Sequence, residues 1–327
     1  MTGLTIAEAG EFGVIDRITA DLTASAAVIV GPGDDTALVA AASGSVLATI
    51  DVLVEGTHFR RDWSSATDIG RKAAAASLAD VAAMGGVATA LLVGFAAPGD
   101  LPLEWALECA AGLATEAALV GACVVGGDVV ASPLITVSVT AFGDLQGRSP
   151  VLRSGARAGD VVALAGRLGW SAAGLDMLAR GVRAPSALID AHRIPEPPYA
   201  AGLVAAAAGA TAMIDVSDGL IADARHLAAA SGVCVHIDTS AWVIPEPMAE
   251  AAVKAGLDPK SWMLTGGEDH ALLATFPAGA AVPSPFVIIG SIGVGGEEPG
   301  VVVDGIRSEG PGGHVHFGGL ASNPPIE

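Results

Sequence analysis

Gly31-Pro32-Gly33-Asp34-Asp35, followed by the apolar run from Ser45 that ends Thr49-Ile50-Asp51, is the stretch on which the reading of this chain turns. Two glycines and a proline make a turn whose backbone can come close to another group, and two adjacent carboxylates leave that turn just ahead of a strand. The same pairing of acid and glycine returns at Gly126-Gly127-Asp128, at Asp215-Val216-Ser217-Asp218-Gly219 and at Gly266-Gly267-Glu268-Asp269, each time at the end of an apolar, strand-like segment. One such turn is ordinary; four point to a shared site for hard cations.

The totals narrow the field. A chain of 327 residues, 52% of them hydrophobic, reads as globular and as two domains. A formal net charge of -19, from 35 acids against 16 bases, argues against nucleic acid, which needs a basic face, but leaves open phosphates bound through metal ions. Cys109, Cys123 and Cys234 are odd in number and fit no zinc spacing, which suits a reducing compartment. The N-terminus lacks a basic region and carries Glu8 and Glu11, unlike a secretory signal. The apolar windows over 73–97 and 200–214 are Ala- and Gly-rich and are broken by Asp80 or bounded by Asp215, so no membrane span is expected and the protein reads as cytoplasmic.

Along the chain, Ile15, Ile18 and Leu22 predict a helix over 11–21, followed by a strand over 26–30. Segments 36–42 and 45–54 flank Ser43-Gly44 and predict a hairpin whose second strand delivers Thr49 and Asp51. A long Ala-rich helix over 67–84 stops at Gly85-Gly86; a strand over 88–96, a helix over 103–120, a strand entering Gly126-Gly127-Asp128 and a strand over 134–142 complete the first half. The second half predicts strands over 161–165, 211–216, 233–237, 271–276 and 286–289. It also predicts helices up to Ala179, after Tyr199 and up to Ala230, the last capped by Ser217 or Asp218. This is an α+β pattern in two domains: 1–145, a mixed α/β sheet domain, and 146–327, an α+β sandwich, with the boundary in the Gly-, Arg- and Ser-rich stretch over 143–158.

Asp34, Asp35, Asp51, Asp80, Asp128, Asp215 and Asp218 together offer the oxygen ligands that Mg²⁺ prefers. Turns and helix caps account for any one aspartate, but Asp51 sits within an apolar strand and Asp80 within an Ala-rich helix, where no turn needs them. Gly126-Gly127-Asp128 and Ser217-Asp218-Gly219 can form anion nests at helix starts. A Walker loop is absent, and Gly31-x-Gly33 lacks the third glycine of a dinucleotide turn. Arg153 is either a phosphate clamp or a solvated linker residue, Lys72 either meets Asp80 or is solvated, and His58 is raised above a structural histidine only by its place after the Asp51 strand. His226 and His236 have no evident partner, and Cys109 and Cys123 read as packing residues.

In order and together these motifs resemble the thiamine-monophosphate kinase family, within the superfamily that also holds aminoimidazole ribonucleotide synthetase and selenophosphate synthetase. The segments Asp51-Val52-Leu53-Val54-Glu55-Gly56-Thr57-His58-Phe59 and Gly266-Gly267-Glu268-Asp269 carry the resemblance to the kinase; Leu78-Ala79-Asp80 and Arg153-Ser154-Gly155-Ala156 add to it. The resemblance implies transfer of the γ-phosphate of ATP to thiamine phosphate. It implies Mg²⁺ held by Asp34, Thr49, Ile50 through its backbone, Asp51, Asp80, Asp128, Asp215 and Asp218. ATP would be contacted by Gly127, Asp128, Arg153 and Ser217, and thiamine phosphate by His58, Glu268 and His314. It also implies a homodimer pairing N-terminal sheets. The chain departs from the family pattern in having His270 where a Tyr is frequent and His314 where an aromatic is usual. An aminoimidazole ribonucleotide synthetase-like enzyme and a non-catalytic nucleotide- or metal-binding subunit are the rival readings; the intact acids oppose the second.

Overall fold

The computed structural model describes residues 4–20, 22–23, 25–30, 38–294 and 298–314, so Asp34 and the turn around it lie outside the described residues. The chain forms two compact units, Met1–Val81 with Gly86–Ser149, and Ala82–Gly85 with Pro150–Glu327. Among the described residues no helix is long and apolar enough to cross a membrane.

The first unit runs α1 (Ile6–Ala20), β1 (Val28–Val30), β2 (Leu38–Val39), β3 (Leu47–Val54), α2 (Ala66–Ala83), β4 (Val87–Ala97), α3 (Leu103–Ala118), β5 (Cys123–Ala131) and β6 (Thr136–Asp144). Its main sheet has the order β3-β6-β4-β5, with only β4 and β5 parallel. Alternation sets the faces: Val137, Val139 and Ala141 of β6 are fully buried, while the residues between them are half-exposed. The predicted hairpin does not form. β2 pairs with β1, and β3 pairs along its length with β6, from Leu47 opposite Gly143 to Val54 opposite Thr136. An eight-residue strand satisfies more of its backbone against nine-residue β6 than against two-residue β2. Gly126-Gly127-Asp128 is likewise not a strand end or a helix start but the interior of β5, where Gly127 opposes Val93.

The second unit contains β7 (Val161–Ala165), α4 (Trp170–Ala179), α5 (Ser186–Arg193), α6 (Tyr199–Ala207), β8 (Ala212–Val216), α7 (Leu220–Ser231), β9 (Cys234–Ile237), α8 (Glu246–Ala255), α9 (Pro259–Thr265), β10 (Ala271–Phe276), β11 (Val287–Ile292), β12 (Gly300–Val303) and β13 (Ile306–Arg307). They build a sheet of order β13-β12-β9-β11-β7-β10-β8. Every residue of β8 and β10 is buried, because both sheet faces are covered. Val162, Ile214, Val216 and Leu273 face Leu220, Leu227, Met248 and Trp262; Ala163, Met213, Leu272 and Ala274 face Ala201 and Ala205. The sequence pattern gives no counterpart for α5, α8, α9, β12 or β13: these are short, and α8 and α9 carry a proline in the first helical turn, where its missing N–H costs nothing.

In the first unit α2 and α3 cross at two glycines. A Cβ on Gly70 would stand 2.0 Å from the Cys109 carbonyl oxygen, and one on Gly112 would stand 2.2 Å from that of Thr67. Helix propensity favours Ala over Gly by about 1 kcal/mol, but forcing two backbones apart costs about 1–3 kcal/mol or more. Gly112→Ala is therefore expected to lower the thermal midpoint, against its propensity, and a midpoint equal to or above that of the parent chain would refute the close crossing.

Candidate active site

The predicted acids fall into two groups, one in each unit. In the first, Thr49 and Asp51 are two apart on β3 and share a face, and Ser77 and Asp80 are three apart on α2 and share a side. The Thr49 hydroxyl donates to Asp80 Oδ2 at 2.6 Å, and the Ser77 hydroxyl lies 2.8 Å from Asp51 Oδ2 and 2.9 Å from the Val139 carbonyl oxygen. Strand and helix thus bring Thr49, Asp51 and Asp80 together, half-buried. Ser77, invisible in the motif reading, holds Asp51 in place. His58 follows on a turn where its Nδ1 accepts from the Val54 amide at 3.0 Å, which leaves the proton of the neutral ring on Nε2. Lys72 is 5% exposed and donates to the His58 carbonyl oxygen at 3.2 Å, so it is not solvated.

Asp128 stands apart from this group. The pairing Val52–Ser138–Gly94–Asp128 puts it on the face of Val52, whereas Asp51 lines up with Val139, Val93 and Gly127. Three strand spacings separate Asp51 from Asp128, roughly 14 Å. The face that Asp128 shares is apolar and open: Ile50 is 61%, Val52 45% and Val130 52% exposed. Arg153 is exposed, in a short 3-10 turn.

In the second unit three segments meet at Asp218. The Glu268 amide donates to the Ser217 carbonyl oxygen at 2.8 Å, the His270 amide to that of Val216 at 3.0 Å, and the His314 amide to that of Asp218 at 2.9 Å. Glycines permit the approach: a Cβ on Gly267 would stand 2.3 Å from the Ser217 oxygen, and Gly219 has φ 134°. Asp215, Ser217, Asp218, Glu268 and His314 are thereby brought together. Arg225 of α7 fastens the tail, its guanidinium donating to the Gly310 and Pro311 carbonyl oxygens at 2.6 and 2.8 Å. His270 turns inward, its Nδ1 3.1 Å from Asp215 Oδ2. The expected cap of α7 is corrected: Gly219 is the N-cap, and Asp223, inside the first turn, accepts from the Asp218 and Gly219 amides at 3.0 Å each. Its only sequence signal is an acid in the first turn of a helix.

These acids crowd one another. Burial, then the charges of Asp215 and Asp218, push Asp223 up to about 7. Ligand atoms of Asp218, Asp223 and His226 lie within 4.8 Å of one another. Taken by itself, each group is rich in oxygen donors, carboxylates in the second unit and carboxylates with hydroxyls beside them in the first, the donor type that suits a hard divalent ion such as Mg²⁺.

Comparison with known proteins agrees with this geometry. Residues 33–145 match the family described as AIR synthase related protein, N-terminal domain, which puts that segment in the AIR synthase-related class of domains. A thiamine-monophosphate kinase from Mycobacterium tuberculosis is 47% identical over 96% of this chain and 93% of its own length. One from Corynebacterium glutamicum is 40% identical over 92% of each. A structure described as AaThiL complexed with AMPPCP and TMP superposes with a TM-score of 0.77 at 35% identity, covering 95% of this chain and 99% of that one. The chain belongs to the thiamine-monophosphate kinase family.

Asp269, beside the site, gives a pH test. Its Oδ1 accepts from the Ser171 amide at 3.0 Å, while its buried Oδ2 has no hydrogen-bond partner among the described residues. Burial outweighs the hydrogen bonds and pushes the carboxyl from 3.8 up to about 7. The fold therefore holds a proton that the unfolded chain has released. Its stabilising effect is complete below 3.8 and is lost as pH rises towards about 7. Asp269→Asn keeps the Oδ1 acceptor and cannot ionise. Urea unfolding without divalent ions at about pH 5 and about pH 7 is expected to show a smaller drop for the variant, by on the order of 1–4 kcal/mol; equal drops would overturn the assignment.

Proposed function

We infer that this chain transfers the γ-phosphate of ATP to thiamine phosphate, giving thiamine diphosphate and ADP. The observation that carries the reading is the assembly of Thr49, Asp51 and Asp80 on one face of the first unit, in a chain 47% identical to a kinase named for this activity. AMPPCP is an analogue of ATP, and its presence with TMP in a relative of matching fold supports both substrates. A cytoplasmic setting suits a chain whose three cysteines are buried and form no disulfide.

The acceptor needs little activation. A phosphate monoester has its second pKa near ~6 and is largely a dianion at neutral pH, so its oxygen is already nucleophilic and no general base is required. The difficulty is bringing two polyanions together. Mg²⁺, when bound, neutralises charge on the phosphates. The family resemblance draws its ligands from Asp34, Thr49, Ile50 through its backbone, Asp51, Asp80, Asp128, Asp215 and Asp218; Thr49, Asp51 and Asp80 would serve as one group in the first unit, and Asp215 and Asp218 as another in the second. Ser217 and Gly127 offer donors to ATP, the guanidinium of Arg153 takes charge at the transferring phosphoryl, and His58, Glu268 and His314 orient thiamine phosphate. Transfer is direct and in-line, without a phosphoenzyme.

The test is turnover. With ATP, Mg²⁺ and thiamine phosphate the protein should release ADP and thiamine diphosphate in equal amounts, with inversion at phosphorus, and chelation of Mg²⁺ should abolish both. Asp51→Asn is expected to lower kcat roughly 100-fold or more while leaving the unfolding midpoint nearly unchanged. Near-normal turnover would remove Asp51 from the site, and retention of configuration would exclude direct transfer.

The partner is a second copy, paired through the open face of the first unit's sheet, where Ile50 and Val52 would be buried. Asp128 shares that face, so such pairing carries it towards the second copy. Sedimentation should show a dimer for the parent chain and a monomer for Val52→Arg; an unchanged dimer would place the interface elsewhere.

A further inference from the structure

A buried polar pair next to Glu268 has no part in the reading so far. Ser171, in the first turn of α4, is 1% exposed, and His192, in the last turn of α5, is 4% exposed. The two helices lie unusually close because residue 174 is glycine: a Cβ there would stand 2.1 Å from the Leu188 carbonyl oxygen and 2.9 Å from the His192 Cβ. That crossing brings His192 Nδ1 to 3.1 Å from the Ser171 hydroxyl and 3.7 Å from Glu268 Oε2. Glu268 itself is held at φ 65°, a conformation that non-glycine residues avoid, and its carboxylate is one-third exposed. A carboxylate on a strained backbone is placed by what surrounds it.

The geometry points to His192 as a positioning residue for thiamine phosphate: it holds the Glu268 carboxylate from behind, with Ser171 fixing the ring, so that one face of the carboxylate stays open to substrate. A histidine that served packing alone would gain nothing from facing a one-third-exposed acid, and burying its ring polar atoms without partners is costly. Glu268 carries negative charge, so the part of the substrate it would meet is the cationic thiazolium or the aminopyrimidine, not the phosphate. The inference rests on the thiamine phosphate reading above.

The experiment is steady-state kinetics on His192→Leu, His192→Asn, Ser171→Ala, Glu268→Gln and the double variant His192→Leu with Glu268→Gln, with both substrates varied. Asn places an N–H near the site of Nδ1. His192→Leu is expected to raise KM for thiamine phosphate about tenfold and KM for ATP less than about twofold, and His192→Asn to recover most of the loss. In the double variant the histidine change should add little to the effect of Glu268→Gln. Should His192→Leu fail to fold, Ser171→Ala supplies the same comparison with a milder shift. Equal effects on both KM values, or full additivity in the double variant, would overturn the positioning role. No effect of Glu268→Gln in an active enzyme would remove Glu268 from the substrate instead, and an inactive parent protein would strike the functional reading itself.

Discussion

Asp215, Asp218 and Asp223 stand so close at the head of α7 that the charges of the first two help push the third up to about 7, and the fold accepts this repulsion beside a core packed on both sheet faces. Like charges in a partly buried place are stable only when a proton or a cation joins them. Asp223, pushed up to about 7, is the acid that takes a proton most readily, and its Oδ2 accepts from both the Asp218 and Gly219 amides, fixing the loop. Asp215 is oriented by His270. Asp218 is left half-buried at the surface of the cluster, with its carboxylate available. The same economy governs the first unit, where hydroxyls from Thr49 and Ser77 touch one oxygen each of Asp80 and Asp51.

The segment 266–270 shows how tightly such a site is specified. Three consecutive side chains go to three different elements: Glu268 to His192 of α5, Asp269 to the amide at the start of α4, and His270 to Asp215 of β8. Both Glu268 and His270 have positive φ, at 65° and 51°. Each such backbone costs on the order of 1–3 kcal/mol and persists only where its surroundings over-determine it. Here the two amides are pinned to the carbonyl oxygens of Ser217 and Val216. Moving any one of these residues therefore moves carboxylates on both sides of the loop.

Much of this was legible in the chain, and for a definite reason. Asp51 and Asp80 interrupt apolar segments where an acid has no local use, and the structure joins them through Thr49 and Ser77. Asp269 and Glu268 were marked by the glycines that let their loop approach β8. What local pattern could not give was the partner of a strand. Segment 45–54 looked like half of a hairpin because Ser43-Gly44 is a good turn, yet its mate, β6, lies eighty-odd residues away. Asp223, Ser77 and His192 were missed on the same ground: each is defined by an atom of another element, and nothing in its own neighbourhood sets it apart. Ser217 and Asp218 were good caps by type, but α7 starts later, with Gly219 as its N-cap, and Asp223 accepts from the Asp218 and Gly219 amides from inside the helix.

Where the positive charge comes from follows from the same contacts. The chain has three lysines. Lys72 is buried and donates to the His58 carbonyl oxygen, and Lys260 donates to Thr239 through both its hydroxyl and its carbonyl oxygen. Lys254 is exposed in the last turn of α8. No lysine is therefore placed as the phosphate-binding cation that a Walker loop supplies. In a protein of net charge -19, with Asp51 and Asp80 together in one unit and Asp215, Asp218 and Asp223 together in the other, a phosphorylated molecule meets like charge at both groups of acids.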